Sequence, residues 1–217
     1  MTREVENLEQ RRKEKVKKII ERLSKLYPKP KSALIHKTPW ELLVSTILSA
    51  QATDKLVNTV TPALFEKYPT VNDFAKAPVE EIDEMVKKVN FHSNKSKNIK
   101  AAAQMIVEKH NGEVPQTMEE LDALPGVARK TANVVLGDAF HKPVGIVVDT
   151  HVIRLANKLG LTDQKDPVKI EQDLMKIVPK DQWQYFGHYL TYFGREYCPA
   201  RPHKCDDCPL KELCPGT

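Results

Sequence analysis

Four cysteines, Cys198, Cys205, Cys208 and Cys214, stand in the last twenty residues and are the only cysteines in a chain of 217. Their spacing is C-x6-C-x2-C-x5-C. Four thiolates in so short a loop can surround one metal centre and pin the loop around it. A zinc site expects two close pairs, and only Cys205 and Cys208 form one; iron–sulfur clusters accept more open spacings. Disulfides are the alternative reading, and they need an oxidising compartment.

A second stretch with chemical potential is Leu124-Pro-Gly-Val-Ala-Arg-Lys-Thr-Ala132. Two helices joined by this turn expose backbone N–H groups at the start of the second helix, where the dipole favours an anion. A DNA phosphate meets that requirement, and a backbone contact positions DNA without reading its sequence. An ordinary packing corner explains the Pro-Gly pair equally well but leaves Arg129 and Lys130 unexplained.

The residues around these sites indicate class and compartment. The first residues, Met1-Thr-Arg-Glu-Val-Glu-Asn-Leu8, have no apolar signal-peptide core, and no apolar run is long enough to span a bilayer. The expectation is an intracellular, cytoplasmic protein with reduced thiols. Lys and Arg total 34 against 29 Asp and Glu, a net +5 that is compatible with nucleic acid without demanding it. A hydrophobic content of 41% suffices for a core, and 15 prolines punctuate it into short elements.

The elements that must position these groups are helical by period. Val16, Ile19, Ile20, Leu23 and Leu26 form one stripe that stops before Pro28. Thr38, Pro39 and Glu41 start a helix whose body, Leu42 to Ala50, is apolar nearly all round and so predicts a central buried helix. Further helices are expected over about 54–68, near 72–76, from Pro78 through Val89, and through Ile99, Ala102, Ala103, Ile106 and Val107 to Asn111-Gly112. Thr117 to Glu120 is a second capping box, ahead of a short helix broken by Pro125-Gly126. A helix over about 127–139 follows. Val144 to Val148 reads as a buried extended connection, Asp149 caps a helix ending at Gly160, and Asp166-Pro167 caps the next. A last helix, 181–196, delivers the chain to Cys198. The class is all-α.

LPGVARKTANVVL, then VDTH at Val148 to His151, then the cysteine pattern, resemble the endonuclease III family, helix-hairpin-helix DNA glycosylases with an iron–sulfur cluster. LLVSTILSAQATD, from Leu42 to Asp54, matches its early helix, and the resemblance runs from about Pro28 to Cys214. It implies two lobes: a six-helix barrel over 32–143 with the hairpin at about 117–139, and a second lobe from 1–31 and 144–217 closed by a [4Fe–4S] cluster in the 198–214 loop. DNA would lie across the groove between them. The implied partner is damaged double-stranded DNA, met by a monomer with no membrane role, nucleoid-associated if the source is prokaryotic.

The resemblance also implies roles. Lys130 would be the nucleophile of a bifunctional glycosylase/AP lyase that removes oxidised pyrimidines and nicks by β-elimination. A nucleophilic amine must be neutral, and an ordinary lysine is neutral in roughly one molecule in 2,500 at pH 7; partial burial and its helix N-terminus are the expected remedies. A plain phosphate grip is the alternative role. Asp149 would give acid–base and electrostatic help beside its capping, with His151 orienting the site. A stacked base must be turned out before it can be cut. Gln51 and Phe91 would fill the gap, as an alternative to a polar helix end and a core aromatic. Gly126, Ala128 and Arg129 of the hairpin, and Arg201 and Lys204 in the cysteine loop (with His203 between them), would meet phosphate. Asp54 is expected to cap the helix after Gln51. With four thiolates around it, the cluster leaves no visible open ligand position or general base, so metal-assisted hydrolysis is disfavoured.

Two departures from the family pattern stand out. Ala128 replaces a usual glycine, which predicts a helical residue there or an altered phosphate contact. Asn90 and His92 stand where the family commonly has Gly and Tyr; Asn tolerates a left-handed backbone. The competing readings are a mismatch or adenine glycosylase of the same superfamily, which generally lacks the lysine, and a non-catalytic, metal-stapled DNA-binding protein.

Overall fold

The computed structural model describes residues 3–215, and helices carry nearly all the regular structure there. The fold is all-α, as the periodicity predicts. Two compact units share the chain: Ser32–Lys142 forms one, and the chain up to Lys31 together with the chain from Pro143 onward forms the other. Among the described residues no helix is long and apolar enough to cross a membrane.

The Ser32–Lys142 unit is built on α2 (Pro39–Ser49), with every residue from Trp40 to Leu48 buried. An apolar surface on all sides forces a helix to the middle of its neighbours. The Thr38 hydroxyl accepts from the Glu41 N–H at 3.2 Å, while the Glu41 carboxylate takes the Lys37 N–H rather than that of Thr38. Around α2 come α3 (Asp54–Lys67), α4 (Val71–Lys76), α5 (Val79–Val86) and α6 (His92–Lys109). Phe74 of α4 is fully buried and meets Trp40 edge-on at 5.3 Å between ring centroids. The hairpin is α7 (Met118–Asp122) and α8 (Arg129–Val134), and α8 continues into a π-helical turn over Val135–Ala139. The second hairpin helix thus starts two residues later than its periodicity indicates and widens at its end.

The other unit packs α1 (Arg3–Leu26), α9 (Thr150–Lys158), α10 (Pro167–Ile177) and α11 (Trp183–Glu196) around Ile19, Leu23, Leu155, Phe186 and Phe193. A 3-10 turn, Lys180–Gln182, precedes α11 where sequence alone places helix from residue 181. Residues 144–148 form no strand; the chain bends at Val144 and Gly145, Val144 is exposed, and Gly145, Ile146 and Val148 are buried. Arg22 of α1 reaches the cysteine loop, donating to the Pro209 carbonyl at 2.9 Å and to Glu212 at 2.7 Å.

Candidate active site

The hairpin turn is built by conformation and close approach. Gly126 has φ +77°, and a Cβ there would lie 2.8 Å from Asn98 Cβ of α6, so no other residue fits without displacing α6. Leu121, Leu124 and Val127 anchor both sides of the turn in the core. Ala128 is the N-cap of α8 at φ −113°, ψ 166°. It is neither helical nor left-handed, so of the two expectations for this position the helical one fails. An extended backbone suits alanine, and no side chain from it caps the first turn.

Lys130, in that first turn, is exposed, and Arg129 is half-buried. The partial burial expected for Lys130 is absent. What the fold gives the amine is its place at a helix N-terminus and access to a large ligand.

Gln51 and Phe91 sit in the same unit, both with left-handed backbones, at φ 55° and φ 57°. Phe91 is 61% exposed, so the reading of it as a core aromatic fails. Asn90 donates its side-chain amide to the Gln51 carbonyl at 3.0 Å. His92 bonds Asp83 at 2.6 Å, a contact that holds the Asp83 carboxyl below its ordinary range. The α3 cap is Thr53, whose hydroxyl accepts from the Leu56 N–H at 3.2 Å; Asp54 is the first helical residue, not the cap.

In the other unit Asp149 is half-buried at the start of α9. Its Oδ1 accepts from the Val152 N–H at 2.9 Å, and its Oδ2 lies 3.0 Å from the Thr191 hydroxyl of α11. Burial, reinforced by Arg154 and Arg195, holds the His151 imidazole below its ordinary pKa against the opposing pull of Asp149. Nδ1 of His151 lies 3.3 Å from the Arg154 guanidinium, which also reaches the Cys198 sulfur at 3.7 Å. Lys158 approaches the same sulfur at 3.6 Å.

The four cysteines are not joined by disulfides. All four line a single small cavity together with Leu155, Lys158, Leu159, Phe193 and Leu210. Among the described residues no three His, Cys, Asp or Glu close on a point as a ready site for one metal ion. The sulfurs surround a volume instead, with apolar walls and one lysine. Arg201 and Lys204 are exposed in the same loop. His203 turns inward, its Nδ1 2.9 Å from the Arg201 carbonyl.

Comparison with known proteins gives the family. Residues 44–180 match the model of the HhH-GPD superfamily base excision DNA repair protein. The chain is 52% identical over 206 residues to endonuclease III of Synechocystis sp., covering 95% of this chain and 94% of that one. Endonuclease III of Bacillus subtilis is 44% identical, covering 90% and 89%. The chain belongs to the endonuclease III family. It is a base excision repair enzyme, a DNA glycosylase/AP lyase. A solved structure described as a trapped endonuclease III–DNA covalent intermediate, an estranged-adenine complex, superposes with a TM-score of 0.87 at 42% identity, covering 94% of this chain and 95% of that one.

Sequence reasoning left several contributors unnamed. Lys95 carries a signal in hindsight: it precedes Ile99, Ala102 and Ile106 on the apolar face of α6. Gly187, Thr191 and Gly194 form a small-residue face on α11 at helical spacing. Arg154 and Lys158 gave no local signal, because only tertiary packing brings them to Cys198.

Proposed function

We propose that this enzyme excises oxidised pyrimidines from duplex DNA, with Lys130 as nucleophile and Asp149 as its acid–base and electrostatic partner. The observation that carries the reading is the exposed Lys130 amine in the first turn of a helix whose N-cap, Ala128, makes no side-chain hydrogen bond to that turn. Those first-turn N–H groups suit a phosphate, and the amine beside them suits the sugar attached to it. That a relative of 42% identity was solved as a covalent intermediate with DNA supports the same chemistry.

The reaction divides as follows. The neutral Lys130 amine attacks C1′ of the turned-out nucleotide while the glycosidic bond breaks; its electron pair leaves with the base, which takes up a proton. The nitrogen now bonded to C1′ loses a proton, and its lone pair forms the iminium as the sugar ring opens; the C1′–O4′ electron pair leaves on O4′, which takes up a proton. Removal of a C2′ proton then expels the 3′ phosphate with the C3′–O3′ electron pair. Because Lys130 is exposed in the free protein, desolvation of its amine would come with the bound DNA. Asp149, its two oxygens fixed by Val152 and Thr191, would exchange protons with the sugar and oppose positive charge on it.

Gln51 and Phe91 would fill the vacated stack, and Gly126, Ala128, Arg129, Arg201 and Lys204 would hold phosphates. Cys198, Cys205, Cys208 and Cys214 would hold a [4Fe–4S] cluster, a fit supported by the one cavity all four line. Bound there, the cluster would act as a staple that fixes the loop carrying Arg201 and Lys204. The reading includes a monomer working on damaged double-stranded DNA in the cytoplasm.

Borohydride trapping tests it. On duplex DNA bearing thymine glycol or an abasic site the protein should give a covalent adduct. Lys130→Ala should bind the same DNA and give neither adduct nor nick. Full-yield trapping by Lys130→Ala would end the proposal.

A further inference from the structure

Lys95 is a buried lysine, 6% exposed, in the first turn of α6. Among the described residues no carboxylate pairs with it. Its ammonium donates instead to two backbone carbonyls, Leu48 at 2.8 Å and Ala50 at 2.5 Å. Both belong to the C-terminal end of α2, where helix carbonyls run out of intrahelical partners and the dipole is negative. Burying an ammonium without a counter-ion opposes folding. Burial also pushes the amine below its ordinary pKa. Such a cost is retained where the group holds something in place.

What it holds is adjacent. Gln51 follows Ala50 directly and has the positive φ that a residue with a side chain adopts only when its surroundings enforce it. Asn90 takes the Gln51 carbonyl, so the end of α2 is gripped at Leu48, Ala50 and Gln51. The backbone N–H of Lys95 meanwhile donates to the carbonyl of Phe91 at 3.1 Å, and Phe91 is the second strained residue. One residue therefore ties together two strained turns that lie forty residues apart.

We propose that Lys95, completed by Asn90, is a positioning residue that makes the Gln51 and Phe91 turns one rigid unit, so that both side chains enter the vacated DNA stack as a single event. The proposal rests on the gap-filling reading of Gln51 and Phe91. Two independent wedges would each pay their own ordering entropy on binding; a locked pair has paid it in the fold. Lysine suits the task because one ammonium can donate to two carbonyls at once.

The test measures affinity of the holoenzyme for a duplex carrying a tetrahydrofuran abasic analogue and for the undamaged duplex. Gln51→Ala, Phe91→Ala and the pair are compared in the native and Lys95→Met backgrounds. In the native background the two losses should be non-additive; with Lys95→Met they should become additive. Lys95→Met alone should weaken abasic binding about tenfold more than undamaged binding, a tenfold change being about 1.4 kcal/mol. Asn90→Ala, at an exposed residue, should move binding in the same direction and covers the case in which Lys95→Met folds poorly. Equal losses on both duplexes in both variants, or additivity in the native background, overturn the proposal. If Gln51→Ala and Phe91→Ala leave abasic binding unchanged, the gap-filling reading itself has failed and the proposal with it.

Discussion

The Thr191 hydroxyl lies 3.0 Å from Asp149 Oδ2 and 2.9 Å from the Gly187 carbonyl one turn earlier in α11. It has one proton to give. While Asp149 is ionised, the charge-assisted bond to the carboxylate is the stronger claim on that proton. When the charge is lost, the proton can return to Gly187 and the oxygen can accept.

This makes Asp149→Asn structurally mild. Asn can still cap through the Val152 N–H, and its amide can donate to the Thr191 oxygen. Stability should change by no more than about 1 kcal/mol, whereas turnover should fall by roughly 10²–10⁴. Thermal melts set beside single-turnover rates measure both. Normal turnover would leave Asp149 as a helix cap only.

Gly187 and Gly194 offer a graded pair. A Cβ on Gly187 would lie 2.5 Å from the Val147 carbonyl oxygen, backbone that leads directly into Asp149. On Gly194 it would lie 2.8 Å from His151 Nδ1 and 3.1 Å from His151 Cβ and Leu155 Cδ1, side-chain atoms rather than backbone. Gly187→Ala should therefore cost more, about 1–3 kcal/mol, and should slow turnover by displacing Asp149. A smaller melting shift for Gly187→Ala than for Gly194→Ala would contradict this packing.

Metal content should report on the cysteine loop. The purified, anaerobically handled protein should be brown, with four irons per chain, and Cys205→Ser should lose iron. Hydrogen exchange should then rise first in the loop and the α9 and α11 segments beside the cavity, with the Ser32–Lys142 unit still protected. One zinc and no iron would exclude the cluster.

His151 predicts a pH dependence of stability. Its folded pKa is lowered, so between that value and its ordinary one the unfolded chain binds the proton and the folded chain does not. Stability should fall as pH drops from about 6.5 through the folded value and level off beneath it. Protonation also removes the Nδ1 lone pair that faces Arg154. His151→Gln, neutral throughout, should flatten the slope in melts between mildly alkaline and mildly acidic buffer; an unchanged slope would assign the dependence to another group.

By itself, the sequence determined the helices, their starts at Thr38, Thr117, Asp149 and Asp166, the break at Gly126, and the gathering of four cysteines. All are local: a cap, a turn or a metal-ligand spacing acts over a few residues, and chain order records it. The same locality produced the misreadings. Asp54 looks like a cap because Thr53 is an equally good one beside it, and a helical Ala128 is excluded by the extended backbone that the turn imposes on it.

Tertiary structure alone decided the exposure of Lys130, the strained turns at Gln51 and Phe91, and the partners of Lys95 and Asp149. Lys95 meets Leu48 across 47 positions and Thr191 meets Asp149 across 42. Pairings of that range follow from how helix faces pack, not from the propensity of any short segment. A buried ammonium or a doubly held carboxylate becomes visible only when the packing that desolvates it also supplies its hydrogen bonds.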